Sequence, residues 1–182
     1  MTEPWPKDWE GTFDLVHSRM ALPGVGTNRL EDTVTGLITL VKPGGWIQMV
    51  EMEWDGWDNG PEGTKFRDAI KDLFSAVSVG QGVDLRAKLT PMFEEAGLEN
   101  IDYKIVTTPF GARAGDKIRE TSEKSLFATA MGVSMTSKML PPQAFSSSPE
   151  ELAAMPQKVL EEIKKDGWEC KFFALWAQKP AK

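Results

Sequence analysis

The chain has 182 residues, with 21 lysine or arginine and 27 aspartate or glutamate side chains, so its net charge is −6. This length suits one domain with a sizeable apolar core. Neither sign of charge forms a long block, which argues against a nucleic-acid or membrane partner. No apolar run approaches a membrane span, and the amino terminus lacks a signal-peptide pattern. We therefore expect a soluble, cytoplasmic protein whose partner is a small molecule or another protein.

The first forty residues predict a strand followed by a helix. Residues 12–20 alternate apolar and polar side chains, which is typical of a strand. A helical stripe then runs to Val41. Asn28 is the predicted cap and Glu31 completes a capping box, while the sequence Pro43-Gly44-Gly45 is expected to end the helix.

The rest of the chain continues the alternation of strands and helices. In chain order, the predicted elements are a strand over 46–54, helices over 66–77 and 85–96, a strand over 100–111, helices over 116–139 and 149–166, and a strand over 168–179. Ser148 and Glu151 predict a capping box, and Gly167 a stop. The single cysteine, Cys170, is expected to be buried in the last strand, which is apolar on both faces and therefore interior. The order predicts an α/β fold whose first two strands are parallel.

Four segments carry a family resemblance. They read "FDLVHSR", "LVKPGGWIQMVE", "GLENIDYKIVTTPFGARA" and "FFALWAQKP". Together they resemble the C-terminal half of class I S-adenosylmethionine-dependent methyltransferases, most closely the fungal secondary-metabolism group. The resemblance implies one truncated Rossmann-like domain over residues 1–182. Its strands would be the fourth, fifth, seventh and sixth of the family sheet, covered by helices, with a helical lid around 116–166.

The resemblance also bears on the methyl donor. In the family a glycine-rich turn after strand one and an acid ending strand two hold S-adenosylmethionine, and neither has a counterpart here. Gly24 and Gly26 follow the fourth strand and are interpreted as loop glycines. We expect no cofactor for the isolated chain, and S-adenosylmethionine only if a missing half is supplied. The chain is either a natural half-fold or a fragment.

Polar side chains end the first two strands, where parallel sheets open onto a ligand crevice. His17 and Arg19 end the first strand, and Glu51 and Glu53 end the second. A histidine with a carboxylate suits general acid and base catalysis, so His17, Glu51 and Glu53 are the candidate catalytic residues and Arg19 a substrate contact. The alternative is a hydrogen-bonded structural histidine. The sequence has one histidine and no paired ligand elsewhere, which is a poor set of ligands for zinc or iron, so no metal is expected.

An apolar pocket is predicted from aromatic and methionine side chains. Trp54 and Trp57 follow the second strand, and Met131 and Met135 belong to a stripe with Met139 in the lid segment. Rings and pliable methionines suit a hydrophobic metabolite, so all but Met139 are assigned to substrate binding. The alternative interpretation is that these methionines, which recur at helical spacing, belong to the hydrophobic core.

Three functions fit the resemblance. The first is a tailoring enzyme that works without the donor, by cyclisation, isomerisation or a pericyclic step. The second is a non-catalytic pseudo-methyltransferase subunit, and the third a methyltransferase completed by a separate N-terminal half. Without strands one to three of the family sheet, the first strand would be an open edge. We therefore expect a homodimer, or a heterodimer with a homologue, formed through residues 5–20.

Overall fold

The computed structural model describes residues 3–181. Within them lie β1 (Phe13–Arg19), α1 (Leu30–Leu40), β2 (Val41–Asp58), α2 (Pro61–Ser78), α3 (Leu85–Glu95), β3 (Glu99–Phe110), α4 (Asp116–Ser137), α5 (Pro149–Lys165) and β4 (Trp168–Gln178). The α/β class predicted from the sequence is confirmed. Of the helices in this described part, none is both long and apolar enough to pass through a membrane.

The four strands form one sheet in the order β1-β2-β4-β3. β1 and β2 are parallel, as predicted, with His17 opposite Gln48 and Arg19 opposite Val50. β4 lies between β2 and β3, which agrees with its apolar residues on both faces. β1 and β3 are therefore the edge strands of the sheet. Every residue of β3 is exposed or half-buried.

The predicted boundaries of α1 are wrong at both ends. Arg29 is the N-cap and makes no side-chain cap bond, while the Asn28 side chain donates to the carbonyl of Val25. The amide of Leu30 instead donates to Gln81 Oε1 at 2.8 Å, so a residue distant in sequence replaces the predicted cap. At the other end, the helix stops at Leu40.

β2 begins directly at Val41, so the predicted stop signal Pro43-Gly44-Gly45 lies inside a strand. Gly45 is needed there for a close approach: a Cβ at this position would lie 3.0 Å from the carbonyl oxygen of Asp14 in β1. β2 also extends to Asp58, so Trp54 and Trp57 lie within the strand and do not follow it, as had been predicted.

The predicted capping box of α5 is confirmed. The amide of Glu151 donates to the Ser148 side chain, and the Glu151 carboxylate accepts from the Ser148 amide. Pro149 is the first helical residue, and Gly167, with a φ of 65°, follows the helix end. These signals act within one turn, so they can be read from the sequence.

The chain divides into two compact units. The first comprises the residues up to Glu53, Val77–Val106 and the chain from Phe172 onwards. Its core is one cluster built from β1, α1, β2, α3 and β4; the largest fully buried members are Leu22, Leu30, Ile47, Met49, Leu89, Phe93, Phe173 and Leu175. The apolar stripes of α1 and α3 supply much of it.

The second unit comprises Trp54–Ala76 and Thr107–Lys171. α4 and α5 are in contact within it. Its buried aromatic residues include Phe66 and Trp168, whose ring centroids are 5.7 Å apart. Cys170 is buried here, as predicted, and burial raises the pKa of its thiol to about 12.

Candidate functional site

Glu51 is a fully buried carboxyl near the carboxyl end of β1, in the first unit. Its Oε1 accepts hydrogen bonds from the backbone amides of Ala21 and Leu22, each at 3.1 Å. Its Oε2 is buried and has no hydrogen-bond partner among the described residues. Desolvation raises the pKa of Glu51 from 4.5 to about 7, against the opposing effect of the two backbone hydrogen bonds. The group therefore changes protonation near neutral pH, as a general acid or base must.

Glu53 lies two residues further along β2 and is also buried. Its Oε2 accepts from Arg86 Nε of α3 at 2.6 Å. The Arg86 guanidinium lies 5.0 Å from the ring centroid of Tyr103 in β3, a cation–π distance. Glu53 is thus held by a salt bridge. Sequence analysis did not find Arg86, because 33 residues separate it from Glu53.

His17 and Arg19 are exposed residues of β1 in the same unit. Nδ1 of His17 lies 3.0 Å from Gln48 Oε1, its neighbour on β2. Among residues 3–181, no hydrogen bond joins His17 to Glu51. The structure therefore places the candidate residues on neighbouring strands, but the predicted histidine–carboxylate pair is not formed. In that same range, no three His, Cys, Asp or Glu side chains converge as metal ligands.

The two tryptophans assigned to substrate binding belong to the second unit. Trp54 and Trp57 are buried, with 6% and 8% of their surface exposed. Their rings stack at 6.3 Å, and Trp54 meets Phe74 of α2 edge-on at 6.1 Å. This packing makes the tryptophans part of the unit's core.

The predicted methionine stripe, with Met131 and Met135 in α4 and Met139 beyond the end of the helix, is not a core stripe. Met131, Met135 and Met139 are 41%, 62% and 83% exposed. A pocket of about 270 Å³ lies near them, between the end of α4 and the start of α5. Its walls are mainly apolar; they comprise Ser134, Ser137, Lys138, Leu140, Pro142, Phe145, Pro149, Leu152 and Ala153. Met131 and Met135 do not line it. The sequence did not reveal this pocket because its walls come from a turn and two helix ends.

A second pocket, of about 360 Å³, lies in the first unit between the amino-terminal arm and α1. Its polar rim includes Arg29 and Asp32, and Trp5 forms part of its wall. Trp5 also stacks on Trp9 at 6.1 Å. Its ring lies against Gly36 of α1.

The two carboxylates near the end of β2 each have partners within the first unit. Glu51 is held by the amides of Ala21 and Leu22, and Glu53 is held by Arg86. Gly24 and Gly26 lie in or beside a short 3-10 turn, Leu22–Val25, that is closed by its own backbone hydrogen bonds. Both carboxylates and this turn therefore belong to the hydrogen-bonded structure of the first unit.

Comparison with known proteins identifies relatives along nearly the whole chain, although no protein-family model matches it. The methyltransferase psoC of Aspergillus fumigatus is 30% identical over 97% of this chain and 64% of its own length. The N-methyltransferase sirN of Leptosphaeria maculans is 33% identical over 100% of this chain and 64% of its own length. The chain therefore spans a little under two thirds of these relatives.

A solved structure supports the same fold. A protein from Anabaena variabilis, assigned as a methyltransferase of an antibiotic biosynthesis pathway, superimposes with a TM-score of 0.51 at 12% identity. The match covers 91% of this chain and 67% of that protein. At this identity the likeness concerns the fold alone.

Proposed function

We propose that this chain, which is similar to fungal methyltransferases along nearly its whole length, is a tailoring enzyme that acts on an apolar small molecule without S-adenosylmethionine. The observation that carries the proposal is the Glu51 carboxyl, which is buried, has one oxygen without a partner and has a pKa of about 7. Such a group removes a proton from one position of a substrate and returns it at another. The net result is an isomerisation or cyclisation that needs no co-reactant.

Access to Glu51 depends on the turn that it holds. Ala21 and Leu22 cover the carboxyl through their amides, and this turn continues through Gly24 and Gly26. Gly26 has a φ of 61°, which favours glycine. Opening of this turn on substrate binding would expose Oε2, while the closed turn excludes water from the carboxyl and keeps its pKa high.

The second unit has a pocket of its own, between α4 and α5, that suits an apolar small molecule. Its walls are largely apolar, with Phe145 and Leu152 deeply buried. Its volume of about 270 Å³ is near the lower limit of small-molecule sites. Lys138 at its rim would orient a polar group of the ligand.

Mass spectrometry of metabolite mixtures tests the proposal. The protein is incubated with an apolar extract of a fungal culture, with and without S-adenosylmethionine, and the products are separated by chromatography. We expect a compound whose retention time changes while its mass does not, in the absence of the donor. Glu51→Gln should abolish the change, whereas Glu161→Gln, on the exposed face of α5, should leave it intact. A change that occurs only with the donor, and adds the mass of a methylene group, would contradict the proposal.

A second candidate function is methyl transfer with the donor bound by additional polypeptide. It is favoured by the names of the relatives and by their greater length. Calorimetric titration of the chain with S-adenosylmethionine, alone and mixed with the remaining third of psoC, separates the two candidates. We expect no binding in either case. Low-micromolar binding to the mixture alone would favour methyl transfer, and binding to the chain itself would show that our assignment of its carboxylates is wrong.

A further inference from the structure

The pocket between α4 and α5 has a wall that hydrogen bonds within the second unit hold in place. Pro142 and Phe145 line it from the segment that connects the two helices. The Phe145 amide donates to the Pro142 carbonyl at 3.2 Å. The amide and the hydroxyl of the next residue, Ser146, both donate to Asp72 Oδ2 at 2.8 Å. The wall is therefore preformed, which lowers the cost of ordering it around a ligand.

The rim of this pocket carries a positive charge. Of the described residues that line the pocket, only Lys138 is charged. Within residues 3–181, the Lys138 side chain forms no salt bridge and no hydrogen bond. The two acids in the first turn of α5, Glu150 and Glu151, do not line the pocket, and Glu151 is paired with Lys65 at 2.8 Å. The Lys138 ammonium group is therefore available to an anion at the rim.

We propose that this pocket binds a small organic carboxylate, with the hydrocarbon part between the apolar walls and the carboxylate on Lys138. The inference rests on the proposed function, which assigns an apolar small molecule to the pocket, and it adds an anionic group to that ligand. An ammonium group has three donors and no acceptor. It therefore favours a carboxylate over a neutral alcohol and disfavours a cationic amine. The volume of about 270 Å³ suits a short chain or a single ring.

The walls and the rim make different contributions to such binding. Phe145 and Leu152 are buried and offer apolar surface, so the hydrocarbon part supplies most of the affinity. Lys138 is exposed, so its ion pair forms without the desolvation cost of a buried one. An exposed ion pair changes an affinity by up to about fivefold. Lys138 is thus a selectivity residue, and the walls determine whether a ligand binds at all.

Nuclear magnetic resonance titration at pH 7 with octanoate, octan-1-ol and octylamine tests the role of charge. We expect the amide signals of residues 134–138 and 150–153 to shift, and octanoate to bind about fivefold more tightly than octan-1-ol, with octylamine the weakest. Lys138→Met should remove this preference and leave the affinity for octan-1-ol unchanged. Lys117→Met is the matched control, because Lys117 is an exposed lysine at the other end of α4. It should keep the preference for octanoate.

Filling the pocket tests the site itself. Ala153 and Ala154 are neighbouring exposed residues of α5, but only Ala153 lines the pocket. Ala153→Phe should weaken the binding of octanoate and of octan-1-ol at least tenfold, whereas Ala154→Phe should bind both as the parent does. Circular dichroism checks that both variants are folded.

Three results would overturn the inference: no binding of octanoate, an equal or higher affinity for octan-1-ol or octylamine, or binding that Ala153→Phe leaves intact. Binding requires no turnover, so its outcome is separate from that of the proposed function. Isomerisation that persists in a protein without octanoate binding would overturn this inference alone. Octanoate binding by a protein that transforms no metabolite would overturn the proposed function alone.

Discussion

At the scale of single residues, the strongest feature is a carboxyl group that the fold holds away from water. Glu51 is fully buried, and its Oε1 alone is hydrogen-bonded. Its pKa is raised from 4.5 to about 7, chiefly by burial. Between these values the folded chain binds more protons than the unfolded chain. The free energy of unfolding therefore falls as pH rises from 4.5 to 7, and the loss is complete above pH 7.

We predict that Glu51→Gln removes this pH dependence. The pKa difference corresponds to at most about 3 kcal/mol. As the pH rises from 4.5 to 8, the free energy of unfolding of the variant should increase by up to this amount relative to that of the parent. The reason is that the glutamine amide stays neutral over this range, whereas the Glu51 carboxyl loses its proton. Urea unfolding followed by circular dichroism at several pH values measures it. Glu161→Gln is the control and should follow the parent. Parallel curves for the parent and Glu51→Gln would mean that Glu51 is charged throughout.

Residue-scale chemistry could be predicted only in part. The sequence drew attention to Glu51 and Glu53 because parallel strands end at a common edge. Their partners come from elsewhere in the chain. Glu51 accepts hydrogen bonds from the amides of Leu22 and Ala21, which lie 29 and 30 positions away in the sequence, and Glu53 accepts one from Arg86. Such contacts depend on packing, which spacing does not reveal. His17 illustrates the same limit, since its neighbour is Gln48 on the adjacent strand.

At the scale of elements, a side chain of one helix caps another. The carboxylate of Glu162, in α5, accepts the amides of Glu62 and Gly63 in the first turn of α2, at 3.0 and 2.9 Å. It also accepts from the indole nitrogen of Trp168 at 2.9 Å. Free amides at a helix start need such acceptors, and negative charge is favourable there. Gly63 lies so close to the Trp168 ring that a Cβ would come within 2.7 Å of it.

We predict that Glu162→Ala destabilises the protein by about 1–3 kcal/mol, because it leaves three donors without their acceptor. The matched control is Glu161→Ala. Glu161 is exposed and, among residues 3–181, accepts a hydrogen bond from Gln157 of its own helix alone, so its loss should cost less than about 0.5 kcal/mol. Chemical denaturation gives both values. Equal effects of the two substitutions would show that the α2 start does not depend on Glu162.

Local signals explain which elements were predicted well. The ends of α5 are set by Ser148, Glu151 and Gly167, all within a turn of the helix end, and the sequence revealed them. The start of α1 depends on Gln81, 51 residues away, and the predicted cap was wrong. Gly45 looked like a helix stop, but it serves the close approach of β1 and β2. Glycine marks both situations, so sequence alone cannot separate them.

At the scale of the whole molecule, the order of strands follows from their composition. β4 is apolar on both faces and lies inside the sheet, whereas β3 carries exposed residues and lies at an edge. The chain spans 64% of the length of each relative named above. The titration with S-adenosylmethionine therefore includes the remaining third of psoC as a second arm.

Cys170 reports on the unfolding of the molecule because it is the only cysteine of the chain and lies in the interior strand β4. It is 2% exposed, and burial raises the pKa of its thiol to about 12. At pH 8 the thiolate fraction of Cys170 is therefore of order 10⁻⁴, and a thiol reagent from solution has little access to the buried sulfur atom. Reaction with a thiol reagent must await unfolding of the surrounding structure.

We predict that Cys170 reacts with 5,5′-dithiobis(2-nitrobenzoic acid) several orders of magnitude more slowly than an exposed thiol, and that its rate rises with urea in parallel with unfolding seen by circular dichroism. Ser125→Cys in a Cys170→Ala background supplies the exposed reference, since Ser125 lies on the open face of α4. Cys170→Ala alone should not react. Labelling that requires global unfolding would follow the same urea transition as circular dichroism. A rate at Cys170 that is high without urea, or that does not change with urea, would therefore show that β4 opens locally and would contradict the prediction.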